Sequence, residues 1–144
     1  MFELHNNCKV VCTVPGAVSP VATKTGVVVD RQGYSAVEFI VQHGSVTTTG
    51  TAVSIAILEG DVTGTMTSVA DADLLGTEAL AGLAAATPRT AGTTKEVSKR
   101  VGYRGLKRYV SANVITATTS TVGGTSVTVL LGSPNLAPTP ASGS

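Results

Sequence analysis

Short runs of alternating apolar and polar residues recur along the chain, each bounded by glycine or proline. In residues 36–42, the apolar side chains Val37, Phe39 and Val41 fall on every second position. A period of two is typical of a β-strand with one buried face, so these residues are expected to point into a core. Residues 52–59, 109–117 and 126–131 repeat the pattern, with these expected inward residues: Val53, Ile55, Ile57, Val110, Ala112, Val114, Val127, Val129 and Leu131.

The spacing of the turn residues predicts the fold class. Glycines and prolines separate Val-, Ile- and Thr-rich runs at short intervals, which is typical of all-β sandwiches and barrels. We therefore expect an antiparallel, jelly-roll-like β-sandwich over residues 30–133. Residues 45–51 are expected to form the turn between two of its strands, and Gly123 with Gly124 is expected to close a hairpin between the last two.

The remaining segments have other expected structures. Thr77 is a plausible N-cap and Pro88 a stop, so residues 77–86 hold at most one short helix, which Gly82 weakens. Residues 1–29 contain Pro15 and Pro20, which favours an extended N-terminal arm. The Pro- and Ser-rich residues 134–144 are expected to form a flexible tail or one ordered by a partner.

The composition of the chain limits the classes of partner that it could bind. Only 13% of the 144 residues are charged, about half the usual fraction of roughly 25%, and the net charge is +1. A surface with so little charge avoids self-repulsion and can pack against copies of itself. The near-zero net charge disfavours nucleic acid and anionic membranes as partners. The first residues lack the pattern of a secretory signal, so synthesis in a cytoplasm is expected.

Basic residues are most concentrated in residues 97–110, Val-Ser-Lys-Arg-Val-Gly-Tyr-Arg-Gly-Leu-Lys-Arg-Tyr-Val. This run predicts a strand, a tight turn and a strand that re-enters the core. Its polar residues have three interpretations: a solvated strand end, a contact with an acidic protein surface, or a contact with nucleic acid. The chain has few aromatic residues for base stacking, which disfavours the third. The predicted partner-interface residues are Arg100, Tyr103, Arg104, Lys107 and Arg108.

Catalytic and metal-binding patterns are missing from the sequence. It contains no phosphate-binding loop, dinucleotide fingerprint or nucleophile elbow, so no enzyme, cofactor or small-molecule substrate is expected. His43 follows a predicted strand and is expected to be a solvated turn residue, while His5 lies in the arm.

Four other residues could bind a metal only with further ligands. Cys8 and Cys12 lie about 13 Å apart on one face if extended, too far to bridge, so reduced thiols are expected. Asp71 and Asp73 supply too few oxygens for calcium, so turn capping is the expected role.

Three segments in order resemble a group of small virion proteins of tailed bacteriophages. They are residues 69–76 (Val-Ala-Asp-Ala-Asp-Leu-Leu-Gly), 101–110 (Val-Gly-Tyr-Arg-Gly-Leu-Lys-Arg-Tyr-Val) and 129–138 (Val-Leu-Leu-Gly-Ser-Pro-Asn-Leu-Ala-Pro), joined by the strand at residues 37–41. The resemblance spans about residues 34–138 and implies a structural component of the virion.

Among virion components, the low charge of the expected β-sandwich and its basic turn favour a capsid decoration, or cement, protein on the outer surface of the shell. The implied partners are the major capsid protein and further copies of the chain, with a homotrimer expected. A head–tail connector or tail protein is the alternative. A carbohydrate- or host-surface-binding domain is a further alternative, disfavoured because the chain has no tryptophan and only three tyrosines.

Overall fold

The computed structural model describes residues 3–17, 22–93, 95–117 and 123–136, which form an all-β sandwich of two antiparallel sheets. One short helix and a single 3-10 turn, Asp71–Asp73, interrupt the strands. No helix in this part of the chain is long and apolar enough to cross a membrane. In chain order the elements are β1 (Cys8–Ala17), β2 (Ala22–Thr25), β3 (Val29–Asp30), β4 (Tyr34–His43), β5 (Thr51–Val62), β6 (Thr65–Ser68), β7 (Leu74–Leu75), α1 (Glu78–Ala81), β8 (Leu83–Ala86), β9 (Val97–Tyr103), β10 (Tyr109–Ala117) and β11 (Thr125–Pro134).

The strand order is that of a jelly roll. The first sheet has the order β1-β11-β4-β9-β7, and the second has the order β2-β10-β5-β6. In the second sheet β3 also pairs with β10, and β8 also pairs with β5, so short strands share its two outer positions. From β4 onward the long strands alternate between the sheets, and the two strand orders are those of a jelly roll, which is built from two Greek keys. The predicted fold class is confirmed.

Alternation along each long strand builds the core. In β4 the side chains of Val37, Phe39 and Val41 are buried against the second sheet, while Ala36 and Gln42 are exposed. The inward residues predicted for β5, β10 and β11 are likewise buried. Because a one-residue slip would exchange the two faces of a strand, this burial fixes the register of the ladders.

Two sequence-based expectations are corrected. Residues 8–17 and 22–25 of the predicted arm are strands: β1 pairs with β11, and β2 pairs with β10. Pro15 is tolerated because β1 is an edge strand, where a missing N–H need not break a ladder. Gly123 and Gly124 do not close a hairpin, since β10 and β11 lie in different sheets. Residues 137–144 of the predicted tail lie outside the described residues.

The short helix forms where its cap predicts it. The Leu80 N–H donates to Thr77 Oγ1 at 3.2 Å, which satisfies one of the amides that a helix N-terminus leaves free. The helix ends at Gly82, whose N–H donates to the Glu78 carbonyl. Its buried Ala81 covers the end of β4, opposite the end where β9 leads into β10.

Candidate interaction loop

Residues 104–108 connect β9 to β10 across one end of the sandwich, and we call them the basic loop. They have no strand or helix hydrogen bonds, yet neighbours fix their backbone. The Arg104 N–H donates to the Asp73 carbonyl at 2.9 Å, and Arg31 Nη1 donates to the Gly105 carbonyl at 2.8 Å. The Arg31 N–H also donates to the Arg108 carbonyl at 3.1 Å. The loop is therefore held in one conformation before any partner binds.

The side chain of Tyr103 packs against the basic loop and forms a hydrogen bond with it. Its hydroxyl donates to Glu59 Oε2 at 2.5 Å and accepts the Lys107 N–H at 3.1 Å. The Arg31 guanidinium lies over its ring, 5.4 Å from the centroid. Burial raises the pKa of Tyr103 well above its usual value, and the hydrogen bond to Glu59 adds to this, so the hydroxyl stays protonated.

Tyr103 is only 3% exposed, so it holds the loop in place and offers almost no surface to a partner. Its prediction as a contact residue is corrected in this respect. Gly105 is the reason the loop can close over the ring. A Cβ at that position would lie 2.4 Å from the tyrosine hydroxyl oxygen, far inside van der Waals contact.

Two of the predicted contact cations are neutralised within the chain. Arg108 donates to both carboxylate oxygens of Asp30, with Nη2–Oδ2 at 2.7 Å, and its guanidinium lies 5.0 Å from the Tyr109 ring centroid. That hydrogen bond lowers the pKa of Asp30. Lys107 Nζ lies 2.5 Å from Asp61 Oδ2, and the hydrogen bond raises the pKa of Lys107.

The other cations are less compensated. Arg100 is largely exposed and only loosely paired, with Nε 3.7 Å from Glu38 Oε1. Among the described residues, neither Arg104 nor Arg31 forms an ion pair with an acid. Arg104 is exposed, so the loop presents a positive charge that no carboxylate in the described part of the chain balances.

An exposed apolar side chain, that of Leu106, lies near Arg104 in the same loop. Leu106 is 93% exposed, the highest value among the large apolar side chains that the structure describes. Leu106 and Arg104 line an open groove of about 530 Å³ together with Arg31, Tyr34 and Asn135. A groove with this lining matches an acidic surface that also offers an apolar contact.

Sequence reasoning found the loop but missed several residues that define it. Leu106 had a local signal, since a leucine between Gly105 and Lys107 in a tight turn has no core to enter. No local sequence signal identifies Arg31, Glu59 or Asp61. They lie more than 40 residues from their loop partners along the chain and contact the loop only because of the fold.

The other residues singled out from the sequence have structural roles. His43 is fully buried, which corrects its expected position in a solvated turn: Nδ1 lies 3.1 Å from Thr125 Oγ1 and Nε2 lies 2.7 Å from the Ala81 carbonyl. Cys8 and Cys12 are not joined in a disulfide. In the described part of the chain, no three His, Cys, Asp or Glu side chains converge as metal ligands would.

Comparisons with known proteins add limited information. No family model matches the chain, and no curated protein sequence matches it. A chain from the Bacillus endospore appendages, a family of disulfide-linked pili, aligns with a TM-score of 0.40 and 13% identity over 87% of this chain and 86% of its own length.

A chain of infectious bursal disease virus, Gx strain, aligns with a TM-score of 0.43 and 11% identity over 91% of this chain. The present chain spans only 33% of that viral chain. At these TM-scores neither likeness carries an argument about fold or function, and the fold assignment rests on the strand order.

Proposed function

We propose that this chain is a non-enzymatic structural protein of a bacteriophage virion, a decoration protein that binds the major capsid protein on the outer surface of the shell. The observation that carries the proposal is the basic loop, an ordered element that presents an arginine with no ion-pair partner among the described residues beside a leucine that is 93% exposed. The sequence resemblance to small virion proteins supports it. The jelly-roll fold is compatible with it, since viral capsid domains often have this fold, but a fold alone does not assign a function.

The loop defines the kind of shell surface that it fits. Arg104 and Arg31 favour carboxylates on the partner, and Leu106 favours a shallow apolar recess between them. Because the loop is already ordered, binding costs little conformational entropy, and more of the contact energy appears as affinity. Fully burying a leucine side chain contributes about 1.5–3 kcal/mol. Repeated on every copy, such a contact suits a protein that covers a shell.

The proposal includes the environment of the protein. It is made in the cytoplasm of the bacterial host and acts on the virion surface, with no cofactor, nucleic acid or membrane as partner. The predicted homotrimer remains a prediction of the resemblance. In this proposal Lys107 and Arg108 form the rim of the contact, where charges that are already paired add little affinity.

Co-sedimentation with expanded, DNA-free shells that lack the protein tests the proposal. We expect saturable binding at hundreds of copies per shell. Arg104→Glu and Leu106→Ser should each weaken binding about tenfold or more, since tenfold corresponds to about 1.4 kcal/mol. The matched controls are Lys24→Glu, a charge reversal on exposed strand β2, and Leu80→Ser, at a leucine that is 66% exposed on α1.

Each result has a defined meaning. Equal loss of binding in the loop variants and their controls would remove the loop from the interface. Saturation at the copy number of a single ring would support the alternative, a head–tail connector or tail protein. Absence of shell binding together with hits on a glycan array would support the carbohydrate-binding alternative and overturn the proposal.

A further inference from the structure

The outer face of the first sheet is broad and almost free of charge. The register places its outward side chains in two rows that cross the strands. The first row is Val10, Leu130, Glu38, Gly102 and Leu75, and the second is Cys12, Thr128, Ile40 and Arg100. Within the described residues of these rows, Glu38 is the only acid and Arg100 is the only base.

This face is also flat and apolar. Leu75 is 57% exposed at one edge of the sheet, and Val10 is about half exposed at the other. Between them Gly102 offers no side chain, and a Cβ there would lie 3.1 Å from Leu75 Cβ. Ala36 and Leu130 complete a shallow recess of about 330 Å³. Exposed apolar surface of this kind commonly marks an interaction site.

The two charges make the face complementary to itself. Glu38 and Arg100 lie on adjacent strands, β4 and β9, and their side chains approach only to 3.7 Å between Oε1 and Nε. The Arg100 side chain is largely exposed, so it is free to reach a second carboxylate. A two-fold axis between them would place each Arg100 opposite the Glu38 of another copy.

We infer that two copies of this chain pair face to face through the outer surface of the first sheet, related by a two-fold axis. Five strands at about 4.8 Å spacing and about seven residues of about 3.3 Å give roughly 500 Å² per copy. That corresponds to about 1,000 Å² buried in total, the lower end of the range for specific interfaces. The contact is therefore weak in solution and would strengthen where copies are crowded together. It is centred on the outer face of the first sheet, adjoins the basic loop at Arg104, and does not depend on the proposed function.

Sedimentation equilibrium of the purified protein tests the inference without any shell. At concentrations up to about 1 mM, we expect the wild type to approach the mass of two chains. Glu38→Arg makes the face entirely positive and Arg100→Glu makes it entirely negative, so each variant alone should sediment as a monomer. An equimolar mixture of the two should again form dimers, because only the mixed pair brings opposite charges together.

Two apolar variants complete the experiment. Leu75→Ser should weaken dimerisation about tenfold, whereas Ile115→Ser, an exposed position on the outer face of the second sheet, should leave it unchanged. Thermal unfolding of each variant confirms that it folds. A wild type that stays monomeric at 1 mM, dimers that persist in both charge variants, or a trimer insensitive to the mixture would each overturn the inference.

Discussion

Removing one oxygen atom beneath the basic loop should destabilise the whole protein. Tyr103→Phe keeps the ring but deletes the hydroxyl that donates to Glu59 and accepts the Lys107 N–H. Both partners then lose a hydrogen bond at a position that is only 3% exposed. Hydrogen bonds to charged groups contribute about 1.5–3 kcal/mol, so we expect the free energy of unfolding to fall by about 2 kcal/mol. For a chain of this size that corresponds to a decrease in Tm of roughly 3 to 12 °C.

Urea denaturation and calorimetry measure this loss directly. Tyr34→Phe is the matched control, because the Tyr34 hydroxyl makes no hydrogen bond with the described residues, and its loss should cost less than about 0.5 kcal/mol. A cycle with Glu59→Gln should show non-additivity of at least about 0.5 kcal/mol, since the two side chains touch. If Tyr103→Phe costs no more than Tyr34→Phe, the loop is not supported in the way described.

Three further predictions concern other parts of the fold. Burial lowers the pKa of His43, so the unfolded chain binds a proton more readily than the folded chain does. The free energy of unfolding should therefore fall as the pH drops below about 6.5. Tm measured between pH 8 and 5 should show this fall, and the dependence of Tm on pH should be weaker in His43→Gln. Gly105→Ala should lower the free energy of unfolding by about 1–3 kcal/mol through overpacking against the tyrosine ring, while Gly64→Ala, with open space around it, should be nearly neutral in the same urea titration. Phe39→Ala should cost about 3–5 kcal/mol in that assay, because it leaves a cavity between the sheets; a loss below about 1 kcal/mol would place Phe39 outside the core.

The strands of the core could be predicted because alternation leaves little choice. In residues 36–42 one face is wholly apolar while the other carries Glu38 and Gln42, so a strand there is expected to bury Val37, Phe39 and Val41. The pairing of those strands could not be predicted in the same way. Nothing in the sequence around Gly123 distinguishes a hairpin from a crossing between sheets, and Pro15 fits both an arm and an edge strand.

The candidate site, like the core, has one part that the sequence predicts and another that only the fold reveals. Local sequence identifies the cations of residues 104–108, but the carboxylates that neutralise two of them, Asp30 and Asp61, come from other strands. Reasoning from the run alone therefore overestimates its free charge. His43 was misplaced for a related reason: a strand end is buried or solvated according to what covers it, and α1 covers this one.

The position of β11 between β1 and β4 determines when the protein can fold during its synthesis. Among the described strands β11 is the last to be synthesised, and the first sheet has no continuous ladder until it arrives. Until then the earlier strands of this sheet expose apolar side chains and unpaired backbone groups, a state that is prone to aggregation. Closing contacts between the first and last strands is also slow, since it requires a long loop to be ordered. The continuous first sheet therefore cannot form before β11 has been synthesised, whatever the order in which the other strands pair.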